Sequence, residues 1–209
     1  MIGILDYGVG NVGAFLRIFH SNNIDAMPVK NPDDFNSINK LILPGVGSFD
    51  NSMNKLEVSG LRSELDNFVL NLKKPLLGVC IGMHMLGEKS EEGVLNGLGY
   101  INGAVKKIDF ESSNQFTILP HMGWNDIIVK KNDSIWDNIN LEQGFYFLHS
   151  YHFVAQRGED ILACSEYNSS FTCAIRYKNI YGFQFHPQAL AMLVAFLGSN
   201  LGNIKFKKK

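Results

Sequence analysis

Pro75-Leu76-Leu77-Gly78-Val79-Cys80-Ile81-Gly82-Met83 is the stretch on which the fold turns. Residues 75–79 form a short apolar run, the pattern of a buried strand. Cys80 follows between Gly78 and Gly82, and residues 81–88 carry helical spacing. Strand, sharp turn and helix in this order predict a nucleophile elbow with Cys in place of Ser. The two glycines are needed because such a turn leaves no room for side chains beside the nucleophile. The turn lifts the sulfur to the carboxyl end of its strand. There the positive end of the following helix favours a thiolate, and the Ile81 N–H faces the place where an oxyanion would form. Taken alone, residues 78–82 fit a small core cysteine between packing glycines just as well.

Outward from this stretch the pattern repeats. Residues 2–5 are an apolar run closed by Asp6-Tyr7-Gly8, and Asn11 reads as the N-cap of a helix through His20 with Val12, Phe15, Leu16 and Phe19 on one face. Residues 26–29 and 40–43 are further strands, the latter stopped by Pro44-Gly45-Val46-Gly47. Glycines there let the backbone approach a ligand or turn a peptide N–H towards it; by itself the segment reads as a plain turn. Residues 48–56 and 60–72 have helical spacing. Strands alternating with helices over the first 90 residues predict a parallel sheet with covered faces. The second half differs: 103–108, 124–129, 145–153, 161–167, 171–177 and 180–185 all read as strands, and 189–197 as the last helix. Antiparallel strands added to a parallel core give one α/β domain over 1–209 with a mixed central sheet flanked by helices. Lys207-Lys208-Lys209 reads as a solvated tail.

The chain has 209 residues, long for one domain and short for two, so one domain is expected. A composition 45% hydrophobic and 19% charged excludes a disordered chain. A net charge of −1 leaves no basic excess to neutralise phosphates, so no nucleic-acid partner is expected. No apolar run approaches the roughly 20 residues of a membrane helix, and MIGILDYG does not read as a signal peptide. Three cysteines, an odd and sparse set, suggest free thiols in a reducing compartment, hence a cytoplasmic protein. Cys164 and Cys173 lie in strand-like runs and read as core. No Cys/His spacing suggests a metal, and no cofactor is expected. His186-Pro187-Gln188 ends the last strand, so His186 is a candidate base for Cys80, although with six histidines the sequence alone does not pair them.

Seven segments, in order and spanning nearly the whole chain, carry a family resemblance. They are DYGVGN (6–11), LPGVGSF (43–49), PLLGVCIGM (75–83), SEEGVLNGLGYI (90–101), PHMGWN (120–125), FLHSY (147–151) and YGFQFHP (181–187). In these the chain resembles the glutaminase subunit of imidazole glycerol phosphate synthase, a class I (triad-type) glutamine amidotransferase with a flavodoxin-like fold. PGVG, PHMGWN and HSY are more specific to this subunit than the cysteine elbow, which many amidotransferases share.

The resemblance implies hydrolysis of glutamine to glutamate, with ammonia passed to a TIM-barrel synthase (cyclase) subunit in a heterodimer. It implies Cys80 as nucleophile and His186 as base, with Gln188 at the position of the third triad member. Ile81 N–H and a backbone N–H from the PGVG turn, at Val46, would hold the oxyanion. Gly47, His84, Glu92, Ser150 and Tyr151 match glutamine-binding positions, Glu92 the one that meets the substrate's amino group. Asn11 and the segment Pro120, His121, Met122, Gly123, Trp124 and Asn125 match the partner-facing surface.

Three departures stand out. The family has Glu where Gln188 stands; a neutral amide can orient His186 but cannot stabilise an imidazolium by charge. The corresponding Asp-to-Asn change in a serine protease loses roughly 10⁴ in turnover, an upper guide for a Cys–His pair. His84 replaces the usual Gln four residues after the nucleophile. From about residue 188 the chain leaves the family pattern, about four residues shorter and without the family's Lys after HPE. These departures keep two alternatives open: a paralogue supplying ammonia for amidination of a bacterial surface sugar, and a catalytically impaired partner-binding subunit.

Overall fold

The computed structural model describes residues 1–109, 118–137 and 139–186. In chain order the first half holds β1 (Ile2–Leu5), α1 (Val12–His20), β2 (Ala26–Val29), β3 (Lys40–Gly45), α2 (Phe49–Ser59), α3 (Arg62–Asp66), β4 (Leu76–Cys80), α4 (Ile81–Met85) and β5 (Lys89–Ser90). The second half continues with strands: β6 (Gly103–Lys107), β7 (His121–Asn125), β8 (Ile128–Val129), β9 (Phe145–His149), β10 (Tyr151–Ala155), β11 (Ile161–Tyr167), β12 (Ser169–Tyr177) and β13 (Ile180–Phe183).

The expected mixed sheet is present. β2, β1, β3, β4 and β13 lie side by side and parallel. Beyond β13 the sheet continues antiparallel through β12, β10 and β6, with β5 parallel to β6 at the edge. β11 pairs with β12 and β8, and β7 pairs with β9 in a separate two-stranded ribbon. All five residues of β4 are buried, as are five of the six in β3. These strands show no polar alternation because both their faces are covered. α1 begins where the Asn11 side chain accepts the Ala14 N–H at 3.0 Å.

Several expected elements are divided. Residues 145–153 are two strands, not one: β9 pairs with β7, while β10 joins the main sheet, and Ser150 is the crossing point. Residues 124–129 likewise split, with β7 starting earlier, at His121, and ending where the Asn125 side chain takes the Asp126 N–H at 2.8 Å. The helix after Cys80 stops at Met85 rather than 88, because Leu98 and Ile101 donate to the Met85 and Leu86 carbonyls. Gln188 and the helix expected at 189–197 lie outside the described residues.

Candidate active site

Cys80 is the last residue of β4 and the N-cap of α4, with φ +56° and ψ −116°. A non-glycine residue in this region is strained, a cost of about 1–3 kcal/mol that neighbouring structure must offset. Close packing provides the support. A Cβ on Gly45 would strike the Gly82 N and Ile81, one on Gly82 would strike the Leu43 carbonyl, and one on Gly78 would lie 2.5 Å from the Gly82 carbonyl oxygen. The three glycines let β3, β4 and the first turn of α4 come together, and in the sheet register Gly45 stands opposite Cys80. The elbow read from the sequence is therefore formed, for the steric reason given.

Three chain segments meet at the carboxyl ends of the parallel strands, where ligands of open α/β sheets bind. Val46 and Gly47 leave β3, Cys80 and Ile81 leave β4, and His186 follows β13. His186 is tied down by its own N–H, which donates to the Tyr146 carbonyl of β9 at 3.0 Å. The Tyr7 hydroxyl, buried, donates to the Pro44 carbonyl at 2.8 Å and fixes the start of the glycine turn. That gives the Asp6-Tyr7-Gly8 motif a role that the sequence alone did not show.

These segments enclose a cavity of about 290 Å³. Val46, Gly47, Cys80, Ile81, His84, Glu92, Ser150, Tyr151 and His186 all line it, so every described residue expected to act on or bind the substrate reaches one space. Pro120 and His149 also line it; only Pro120 of these two was singled out in the sequence. Its size is near the lower end of about 300–1,000 Å³ typical of small-molecule sites. A second cavity of about 350 Å³ adjoins it, sharing Val46, Leu148 and His186 and bounded by Asn11 and the apolar side of α1. Among the described residues no group of three His, Cys, Asp or Glu is arranged to hold a metal.

Burial pushes the Cys80 thiol up to about 11, against the pull of the Ile81 N–H and helped by the charge of Glu92. Burial also lowers the His186 imidazole below its ordinary value. Glu92 is raised by burial, opposed by the Phe49 N–H that it accepts at 3.0 Å, with Asp50 adding to the rise. His84 is buried and pulled down to about 4, so it is neutral at pH 7. Its Nε2–H donates to Gln184 Oε1 at 2.7 Å, which leaves Nδ1 as an acceptor with no partner among the described residues.

The 120–125 segment divides by strand period. Met122 and Trp124 are 65% and 66% exposed, while His121 is buried and turned inward. His149 Nδ1–H donates to the Tyr151 carbonyl at 2.9 Å, so its Nε2 must accept, and His121 Nδ1–H supplies that bond at 3.1 Å. His121 Nε2 in turn faces the Asn125 amide at 3.4 Å. Burial holds His149 down to about 3 and lowers His121 too, in keeping with these bond directions. His121 and Asn125 thus brace the cavity wall from the ribbon, whereas Asn11 is exposed and caps α1.

A cysteine on a strained elbow, flanked on one side by the glycine turn that ends β3 and on the other by the histidine that follows β13, has the arrangement of a thiol-dependent hydrolytic site. The chain belongs to the class I glutamine amidotransferases, whose family model matches residues 3–191. Imidazole glycerol phosphate synthase subunit HisH of Leptospira interrogans is 45% identical over 188 residues, covering 90% of this chain and 92% of that protein. The subunit named HisH 2 of Methanococcus maripaludis has the same identity and coverage. A crystal structure of a glutamine amidotransferase superposes with a TM-score of 0.67 at 19% identity, covering 94% of this chain and 96% of that one, a likeness of fold.

Proposed function

We propose that this chain is the glutaminase subunit of an imidazole glycerol phosphate synthase, acting in histidine biosynthesis in the cytoplasm. It would hydrolyse glutamine and pass ammonia to a TIM-barrel cyclase subunit bound in a heterodimer. Family membership and the HisH relatives support the class of reaction. The observation that carries the reading is the convergence of Cys80, Ile81, Val46, Gly47, Glu92 and His186 on one cavity.

In this reading the Cys80 sulfur attacks the side-chain amide carbon of glutamine while His186 takes the thiol proton. The oxyanion receives the Ile81 N–H and an N–H from the Val46–Gly47 turn. The carbon–nitrogen bond breaks, His186 returns its proton to the departing ammonia, and water then releases glutamate from the thioester. Glu92 meets the substrate's ammonium group, and His84, Ser150 and Tyr151 line the wall around it. Gln188 would orient His186 as a neutral third member. Exposed Met122 and Trp124, with Asn11, Pro120 and Gly123, form the surface offered to the barrel subunit. Direct transfer has a physical basis, because ammonia released into water becomes ammonium, which is no nucleophile.

The test is glutamate release from glutamine by the purified chain mixed with the barrel subunit and that subunit's ligand, beside a Cys80→Ala control. Release that depends on Cys80 is expected. Formation of the complex without release would refute the glutaminase reading and leave a subunit that only binds its partner.

A further inference from the structure

The loop at residues 90–97 carries Glu92 over the cavity, and two reciprocal sets of hydrogen bonds join it to the first turn of α2. Glu92 Oε2 accepts the Phe49 N–H at 3.0 Å. In the other direction the Asp50 carboxylate accepts the Val94 N–H at 3.0 and 3.1 Å on its two oxygens, and the Leu95 N–H at 3.1 Å. Between them lies Gly93, where a Cβ would fall onto the Asp50 carboxylate. Within the loop the Glu92 N–H donates to Ser90 Oγ at 3.1 Å and the Gly93 N–H to the Ser90 carbonyl at 3.4 Å, while at its ends the Glu91 N–H donates to the Val105 carbonyl at 3.0 Å and the Gly97 N–H to the Glu88 carbonyl at 2.8 Å. Phe49 and Asp50 begin their helix two residues after Gly47, so the clasp also sits directly behind the glycine turn.

We propose that Asp50 is a positioning residue for substrate recognition: its carboxylate clasps the loop backbone and so sets where the Glu92 carboxylate stands in the cavity. The inference rests on the proposed function, in which Glu92 meets the ammonium group of glutamine. Charge-assisted bonds to two successive backbone N–H groups are strong and directional. Val94 is almost fully exposed and packs nothing, so burial of the loop's tip does not provide the same restraint. Without Asp50, Glu92 keeps its bond to Phe49 N–H but loses the fixed backbone that aims its other oxygen. Substrate affinity falls, while Cys80 and His186, on other elements, are untouched.

The experiment measures Asp50→Ala, Asp50→Asn and Gly93→Ala in the glutaminase assay, with two substrates: glutamine and glutaramate, which lacks the α-amino group. Asp50→Ala is expected to raise the KM for glutamine about tenfold, the scale of one lost hydrogen bond to a charged group. Its kcat stays within about twofold, since the effect is on binding. Asp50→Asn, which keeps one acceptor oxygen, recovers part of the loss, and Gly93→Ala reproduces it by displacing the carboxylate. For glutaramate, which has nothing to offer Glu92, the variants match the wild type. An unchanged KM for glutamine, or an equal penalty on both substrates, overturns the clasp while leaving a wild type that is active through Cys80. A wild type that hydrolyses no glutamine overturns the proposed function, and this inference with it.

Discussion

Gly78→Ala tests whether close backbone approach, rather than the cysteine alone, makes this elbow. The added methyl carbon would stand 2.5 Å from the Gly82 carbonyl oxygen, 2.7 Å from the Gly82 carbonyl carbon and 2.9 Å from the Met83 nitrogen. All three are backbone atoms of the first turn of α4, so no flexible side chain can swing aside. Ordinary contact begins at 3.4 Å, and the turn must therefore retreat by roughly 0.9 Å from β4. Overpacking of this kind costs about 1–3 kcal/mol. For a domain of this size each kcal/mol lowers Tm by roughly 2–4 °C, so a fall of about 2–12 °C is expected. The same displacement carries Ile81 N–H and Cys80 out of alignment, and a misplacement near 1 Å can cost on the order of 10²-fold in turnover. Thermal unfolding and glutamate release measure the two effects separately. Gly158→Ala is the control, because a Cβ there meets nothing within 4 Å, and it should change neither quantity. A Gly78→Ala protein with wild-type Tm and turnover would refute the steric account of the elbow.

The remaining predictions concern acid stability and the exposed ribbon. His84 and His149 are held by burial at about 4 and about 3, while the unfolded chain binds protons near the ordinary value of about 6.5. Their contribution is complete above about pH 6.5 and is lost as the pH falls towards 4, at up to about 3 kcal/mol per pH unit for the two together. Urea unfolding at a series of pH values reads this directly; stability that stays level from pH 6.5 to 5 contradicts neutral burial of both rings. Trp124→Ala removes a ring that is 66% exposed, so stability should hold within about 0.5 kcal/mol. If Trp124 anchors the barrel subunit, the Kd of the complex rises roughly 30-fold, as for an interface hot spot of about 2 kcal/mol, and an unchanged Kd in calorimetry removes it from the interface.

The parts of this fold legible in the sequence were those specified by neighbours along the chain. β1, β2 and α1 begin and end where their apolar runs, turn residues and the Asn11 cap place them. The elbow was legible because its glycines and cysteine are close in sequence. The split at Ser150 was not, because burial alternates without interruption from Phe145 to His149 on one ribbon, and resumes at Phe153 in another sheet. A period of two fixes which side a residue faces, not which strand it pairs with. The same rule explains His121, grouped in the sequence with Met122 and Trp124 but on the other side of β7. Asp50 gave no signal, since its partners lie 44 and 45 residues away. The His84–Gln184 bond spans 100 residues and was equally hidden.

The charge states at the site constrain how the chemistry can start. In the free chain burial raises the Cys80 thiol to about 11 and lowers the His186 imidazole below its ordinary value. Both directions disfavour a preformed thiolate–imidazolium pair and favour attack coupled to proton transfer. Part of what raises the thiol is the negative charge of Glu92 across the cavity. In the proposed reaction the ammonium group of glutamine pairs with that carboxylate. The pairing offsets this smaller contribution but leaves burial, the main cause, in place, so contact with Glu92 acts chiefly on binding.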